Sequence, residues 1–358
     1  MKRDKFVSPI TRRQILLSPV AALPVAPALQ QIISAAQSVS TFEAVRLREF
    51  GAKLDGLSDD SDALQKAVDA CLYGTPVRPL LVEGPCRVGR SILINRPVDQ
   101  TRGVFRIIGQ GSYGGFLVAG NFPLFDSNLS NISAPLSEYL WFQNIRFEAL
   151  ANAPNATTLS DAFLRVQFHH CEFEQIKALA GKKYAQEWKF SHCIVRRWPG
   201  AFFSSYGGYH ITSTSTKYQN GGGNVFELAD PKLRDAGCVG CAFHQDIVEA
   251  SNGSFLKAAV VRGLSIAGLY SEGNYGPTLD LDNAAVNRGV SVTGAMFAPQ
   301  EQRKADSDFF DIRWGRIEGG HAGGNFSSGR LHHHRSTSPS SLIVSGDYAA
   351  LDLIRHET

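Results

Sequence analysis

Phe142-Gln143-Asn144-Ile145-Arg146-Phe147, Phe168-His169-His170-Cys171-Glu172-Phe173 and Phe190-Ser191-His192-Cys193-Ile194-Val195 are three copies of one short pattern: apolar, any, small or polar, apolar, any, apolar. Ile211 to Thr216, Cys238 to Phe243 and Val261 to Ile266 continue it, and the steps between successive first residues are 26, 22, 21, 27 and 23. Self-similarity at a period of roughly 20 to 50 residues is the mark of a solenoid. Asn287 to Gly294 aligns with Val261 to Gly268, and Ile312 to Gly319 aligns more loosely, which brings the count to eight rungs.

Apolar residues alternating on each side of a small or polar one describe two short strands that meet at a corner and both point inward. A single rung cannot bury its own apolar face. Rungs stacked about 4.8 Å apart can, because each residue lies over its counterpart and the strands pair in parallel. The expected fold is therefore all-β, a single-stranded right-handed parallel β-helix. In this alignment Ile145, Cys171, Cys193, Thr214, Cys241 and Leu264 form one interior file. The six cysteines lack metal-site spacing apart from Cys238 and Cys241, and read as small buried hydrophobes. A disulfide between the stacked Cys171 and Cys193 is the alternative.

With 43% hydrophobic and 19% charged residues over 358 positions, the composition is that of a folded protein. The N-terminus carries Lys2, Arg3 and Lys5, then Arg12-Arg13, then a Pro-broken apolar stretch to Leu29. It resembles a twin-arginine export signal, with Ser34-Ala35-Ala36 as cleavage region. This organisation assigns residues 1–40 to the signal and linker, and 41–358 to one β-helix domain. The expected location is periplasmic or secreted, with the export machinery as a partner and no membrane association of the mature form. Residues 1–40 hold five cations and one anion, so the net charge of +3 becomes −1 without them. A near-neutral chain offers no electrostatic case for nucleic acid.

Ahead of the repeat lies Phe50-Gly51-Ala52-Lys53-Leu54-Asp55-Gly56-Leu57-Ser58-Asp59-Asp60-Ser61-Asp62-Ala63-Leu64-Gln65-Lys66-Ala67. Asp55-Gly56 predicts a turn and Asp60 a helix N-cap, while Ala63, Leu64, Ala67, Val68, Cys71 and Leu72 share one helical face over about 61–72. Such a helix plugs the open apolar end of a solenoid. The Asp cluster reads as structural, with Ca2+ binding as the alternative.

This segment resembles the opening motif of the pectate lyase superfamily, whose pectin-lyase-like β-helix proteins include rhamnogalacturonase-like enzymes and phage tailspike depolymerases. Leu81 to Val88 and Val104 to Gly111 resemble the strands that follow in that family. The resemblance is specific over 45–120 and rests on rung pattern beyond. It implies chemistry on polysaccharide without a required cofactor, and a monomer or homotrimer. Neither the polygalacturonase nor the alginate epimerase catalytic pattern is present, so neither activity carries over.

Hydrolysis needs two carboxylates across the glycosidic bond, roughly 5–5.5 Å apart for retention and roughly 6.5–9.5 Å for inversion. Lyase cleavage needs a base and a cation holding the uronate. Glu249 and Glu272 each follow the first position of their rung by 11 residues and are expected to stack, which sets an acid against a base. Tyr270 lies beside Glu272, and Asp280 and Asp282 alternate on the next strand; pairing of Asp280 with Lys257 one rung below is the structural alternative. Arg262, Arg288 and Arg313 are expected at one position of three successive turns, where they would bind an acidic polysaccharide or pair with acids such as Glu318 and Asp311. His169, His170, His192, His321 and His332 to His334 show no helical metal spacing and read as corner residues. Three functions compete: a lyase or glycoside hydrolase, a non-catalytic polysaccharide binder of exopolysaccharide assembly, and a tailspike-like depolymerase.

Overall fold

The computed structural model describes residues 43–358 apart from 75, 95–103, 112–113, 128–135, 182–183, 230–236, 282–286, 336–340, 352–353 and 358. The expected export signal, and Asp282, lie outside the described residues. Residues 43–358 form one unit, a parallel β-solenoid. Each coil runs through three faces. Face A holds strands such as Leu136–Gln143, Phe163–His169, Trp188–Ser191, Cys238–His244, Val261–Ala267 and Asn287–Thr293. Face B holds Arg146–Ala149, Glu172–Glu174, Ile194–Arg196, Lys217–Gln219, Ile247–Glu249 and Tyr270–Glu272, among eleven strands in the described residues. Face C holds Lys177–Ala180, Phe203–Ser205, Phe226–Leu228, Leu256–Ala258 and Leu279–Asp280. The coil starts before the sequence repeat, with Val45–Arg46 and Leu80–Val82 on face A and Pro85–Val88 on face B, and continues through Leu342–Ser345 to Tyr348–Ala349 on face B and Ile354–Glu357 on face C.

The repeat has a local cause. Asn144, His170 and His192, the third residue of the pattern, all have φ between 51° and 54°. This left-handed bend breaks the two-residue alternation, so the residues on both sides of it point inward. Ile145, Cys171 and Cys193 stack in the interior as expected, and all six cysteines are buried free thiols. The rest of the expected file is corrected. Cys193 lies under Thr216, which lies under Asp246, because Ser191 pairs with Thr214 and Thr212 with Ala242. Thr214 is on the outer side of face A, over Ser191, and Cys241 and Leu264 belong to a second file with Ile211 and Val290.

The reason is a second left-handed bend, inside face A, at Glu187, His210, Gly240, Gly263 and Gly289. It creates the same inward-any-bend-inward-any-inward pattern five residues before the corner. Rungs starting at Cys238, Val261 and Asn287 are centred on this inner bend, whereas Phe142, Phe168 and Phe190 flank the corner itself. Adding a Cβ at Gly240 would bring it 2.7 Å from the His210 ring, so glycine here answers to space as well as φ.

The core is a stack of rings. Phe168 lies parallel to Phe142 at 5.0 Å and to Phe190 at 5.2 Å, and Phe147 lies parallel to Phe173 at 5.1 Å. Strand spacing therefore dictates ring spacing. Polar members of the corner file are used by the coil before them: Thr216 Oγ1 accepts the Cys193 amide, Asp246 Oδ1 the Thr216 amide, Asn325 Oδ1 the Ala295 amide and Asp347 Oδ1 the Asn325 amide.

Helix α1 (Ser61–Tyr73) covers the first coil, and all six residues of its expected apolar face are buried. Asp60 occupies the N-cap position without capping by its side chain; its carboxylate turns back to accept the Lys53 and Leu54 amides. Among the described residues, no helix is long and apolar enough to cross a membrane.

Candidate functional site

Along the outside of face B, alternate residues of each strand form two parallel files. Glu249 lies over Gln219 and directly under Glu272, as the 11-residue spacing required. The neighbouring file runs Ile247, Tyr270, Met296, Phe326 and Tyr348. Met296, Phe326 and Tyr348 are exposed, and the last two rings stack at 5.4 Å with planes 11° apart. This apolar row does not show in the sequence, because its members lie 22 to 30 residues apart; only stacking joins them.

The two glutamates differ. Glu249 Oε2 is held by Lys217 Nζ at 3.2 Å and accepts the Gln219 amide at 2.7 Å. Glu272 is exposed and accepts the Tyr270 phenol at 2.7 Å. That hydrogen bond, with smaller contributions from burial and from the charges of Glu272 and Glu249, holds the Tyr270 phenol above its ordinary pKa. The pair places a carboxylate and a phenolic proton side by side, the equipment for moving one proton to or from a ligand.

Asp280 stands on face C between Lys257 and Arg313, the cation below being the one expected from the alternative reading. The arginine row is corrected. Arg262 and Arg288 are stacked, but the next partner of Arg288 is Glu318, which closes an ion pair at 2.7 Å. Arg313 stands over Asp280 because the counterpart of Asn287 is Ile317, five residues after the Ile312 that the alignment assumed. The row is therefore the Arg262 and Arg288 pair, with Glu318 next in line.

The Asp cluster before α1 serves the backbone. Asp55 accepts the Ser58 and Leu57 amides and the Ser58 hydroxyl, which lower its pKa to about 2. Asp59 accepts the Ser61 and Gly89 amides.

Two further groupings were not legible in the sequence. Inside the last coils, Trp314 Nε1 donates to His332 Nδ1 at 3.1 Å, and His332 Nε2 meets Asp347 Oδ2 at 2.5 Å. An indole N–H only donates, so Nδ1 accepts and Nε2 carries the hydrogen given to Asp347. Both side chains of the pair are sealed from solvent, which makes it a brace of the last coils. On the outer surface, at the corner between faces A and B, His169, His170 and His192 come together, with imidazole nitrogens within 4.8 Å of one another. Burial, and then the neighbouring rings, hold His169 below its ordinary pKa. The signal that would have found this triad is the stacking of consecutive corners, since His192 lies over His170.

No protein-family model matches the chain, and no curated protein matches it in sequence. Among solved structures it is similar to the tailspike protein of Acinetobacter baumannii phage AM24 (15% identity, TM-score 0.55), over 88% of this chain and 56% of that one. It is also similar to PfbA, a surface adhesin of Streptococcus pneumoniae (10%, TM-score 0.47; 86% and 90%), and to the catalytic unit of a GH87 α-1,3-glucanase of Streptomyces thermodiastaticus (11%, TM-score 0.41; 87% and 69%). The chain spans just over half the length of the tailspike. At these identities the likeness is one of fold.

Proposed function

We propose that the chain binds a polysaccharide along the outside of face B, and that Glu272 with Tyr270 cleaves it. The observation that carries this reading is the file Tyr270, Met296, Phe326 and Tyr348 running beside the stacked Glu249 and Glu272. A contiguous exposed apolar row of this kind marks an interaction surface, and flat rings stack on the apolar faces of sugar rings while their edges leave the hydroxyls to polar neighbours. Glu249, tied to Lys217 and Gln219, holds substrate hydroxyls; Glu272 is the proton-transfer group. An acidic polysaccharide is the preferred substrate, with the exposed Arg262 on face A as a secondary contact for its carboxylates. Export by the twin-arginine route is part of the same reading, since such a substrate is outside the cytoplasm.

The test incubates the purified protein with a panel of neutral and uronate-containing polysaccharides and follows both unsaturated-product absorbance and reducing ends. Phe326→Ala with Tyr348→Ala is expected to weaken binding at least about tenfold, as each base of comparable stacking contributes about 1–3 kcal/mol. Glu272→Gln is expected to lower turnover at least about a hundredfold with binding retained. Binding without either product signal leaves a non-catalytic binder, and binding unchanged in the double variant removes face B from the account.

A further inference from the structure

The corner triad has no part in the reading above. His170 and His192 occupy the left-handed position of consecutive coils, where their φ values are 51° and 54°. Histidine tolerates this conformation better than most residues, and tolerance alone would explain each of them. It does not explain His169. That residue is on an ordinary strand position, stacked between Gln143 and Ser191, and an extended chain would send it to the opposite side from His170. The bend at His170 instead turns both rings outward, with centroids 4.1 Å apart, and brings the His192 ring to 5.1 Å and 5.9 Å from them. Within the triad, His169 Nδ1 is buried and has no hydrogen-bond partner, an unusual state for an imidazole nitrogen.

We propose that His169, His170 and His192 form a binding site for a divalent transition metal of the zinc class. Three neutral nitrogens select Zn2+, Ni2+ or Cu2+ over Ca2+ and Mg2+, which take oxygen ligands. Around zinc, with Zn–N of about 2.0–2.1 Å in a tetrahedral set, ligand nitrogens stand roughly 3.3–3.4 Å apart. Closing the triad therefore asks for side-chain rotation of the exposed His170 and His192, while the strand ladder stays as it is. Three protein ligands on an outward-facing corner leave the fourth position to water or to an oxygen of a bound molecule. The site is three coils from Glu272 at His192 and four at His170, about 14–19 Å along the axis at the strand spacing, so it neither needs nor supplies the face B chemistry.

The experiment uses the full chain without a polyhistidine tag, in a buffer that does not chelate. Zn2+ titrated calorimetrically is expected to bind one ion per chain, and Co2+ in its place is expected to give the visible absorption of a nitrogen-ligated ion. His170→Asn and His192→Asn should each weaken binding at least about tenfold, the scale on which metal sites respond to lost partners. Asparagine keeps the bend, as Asn144 does one coil below, and a matching thermal transition confirms the fold. His210→Asn, at the inner bend, should bind as the parent does. Absence of Zn2+ binding, or binding that survives the His170→Asn/His192→Asn double substitution, would overturn the assignment.

Discussion

Replacing Phe168 by alanine is expected to lower the free energy of unfolding by roughly 3–5 kcal/mol, the range for a buried Phe→Ala change. Phe168 is almost wholly buried and touches five rings: Phe142 and Phe190 face to face, Phe147 and Phe173 edge-on, and Trp188 at 6.1 Å. Costs fall at the low end of the range where a site can collapse into the cavity. Here the parallel ladder fixes the coils above and below at their spacing, so Phe142 and Phe190 cannot close the gap. Urea unfolding with an unchanged m-value measures it. A loss below about 1 kcal/mol would show that the ring stack does not hold the coils together.

Asp246→Asn is expected to stabilise the protein at pH 8 and to leave it near parental stability at pH 4. Asp246 is inside the corner file; its Oδ1 accepts the Ser213 hydroxyl and the Thr216 amide, both at 2.9 Å, and its Oδ2 is buried without a partner. Burial pushes its pKa up from 3.8 to about 7, against the lowering effect of those two hydrogen bonds. Between these values the folded chain keeps a proton that the unfolded chain has released. Stability from this group is therefore greatest below about pH 4, falls as pH rises to about 7, and then levels off. The full span is on the order of 4 kcal/mol. Asparagine keeps the acceptor that both donors need and carries no charge, so the variant escapes the decline. Asp311, raised to about 7 by burial, adds a similar slope to the parent protein. Only the difference between variant and parent isolates Asp246, and a difference independent of pH would refute the assignment.

The coil, the capping helix and the stacked Glu249 and Glu272 were all legible in the chain, because each depends on a spacing within one coil or on an offset that adjacent coils share. The frame was not. Two left-handed bends per coil leave the same six-residue imprint, and the alignment passed from one to the other between Phe190 and Cys238. That slip sent Thr214 inward, and a second one, of five residues between Asn287 and Ile312, sent Arg313 into the arginine row, whereas the structure puts Thr216 in the interior file and Glu318 next to Arg288. The histidine triad, the exposed aromatic row and the His332 brace were hidden for another reason. Their members are distant in sequence, and each residue alone looks like ordinary surface or core.

The corner bend itself, occupied in order by Asn144, His170, His192, Ser215, Gln245, Gly268, Gly294 and Gly324, faces solvent, with Ser215 half-buried and the other residues there exposed. Any residue able to adopt a positive φ can stand there at small energetic cost. Such a row is a set of interchangeable sockets: exchanging one group for another would redecorate the edge of the molecule while the packing beneath stays the same. Evolution within this scaffold can thus acquire or discard surface chemistry at these points independently of selection on folding.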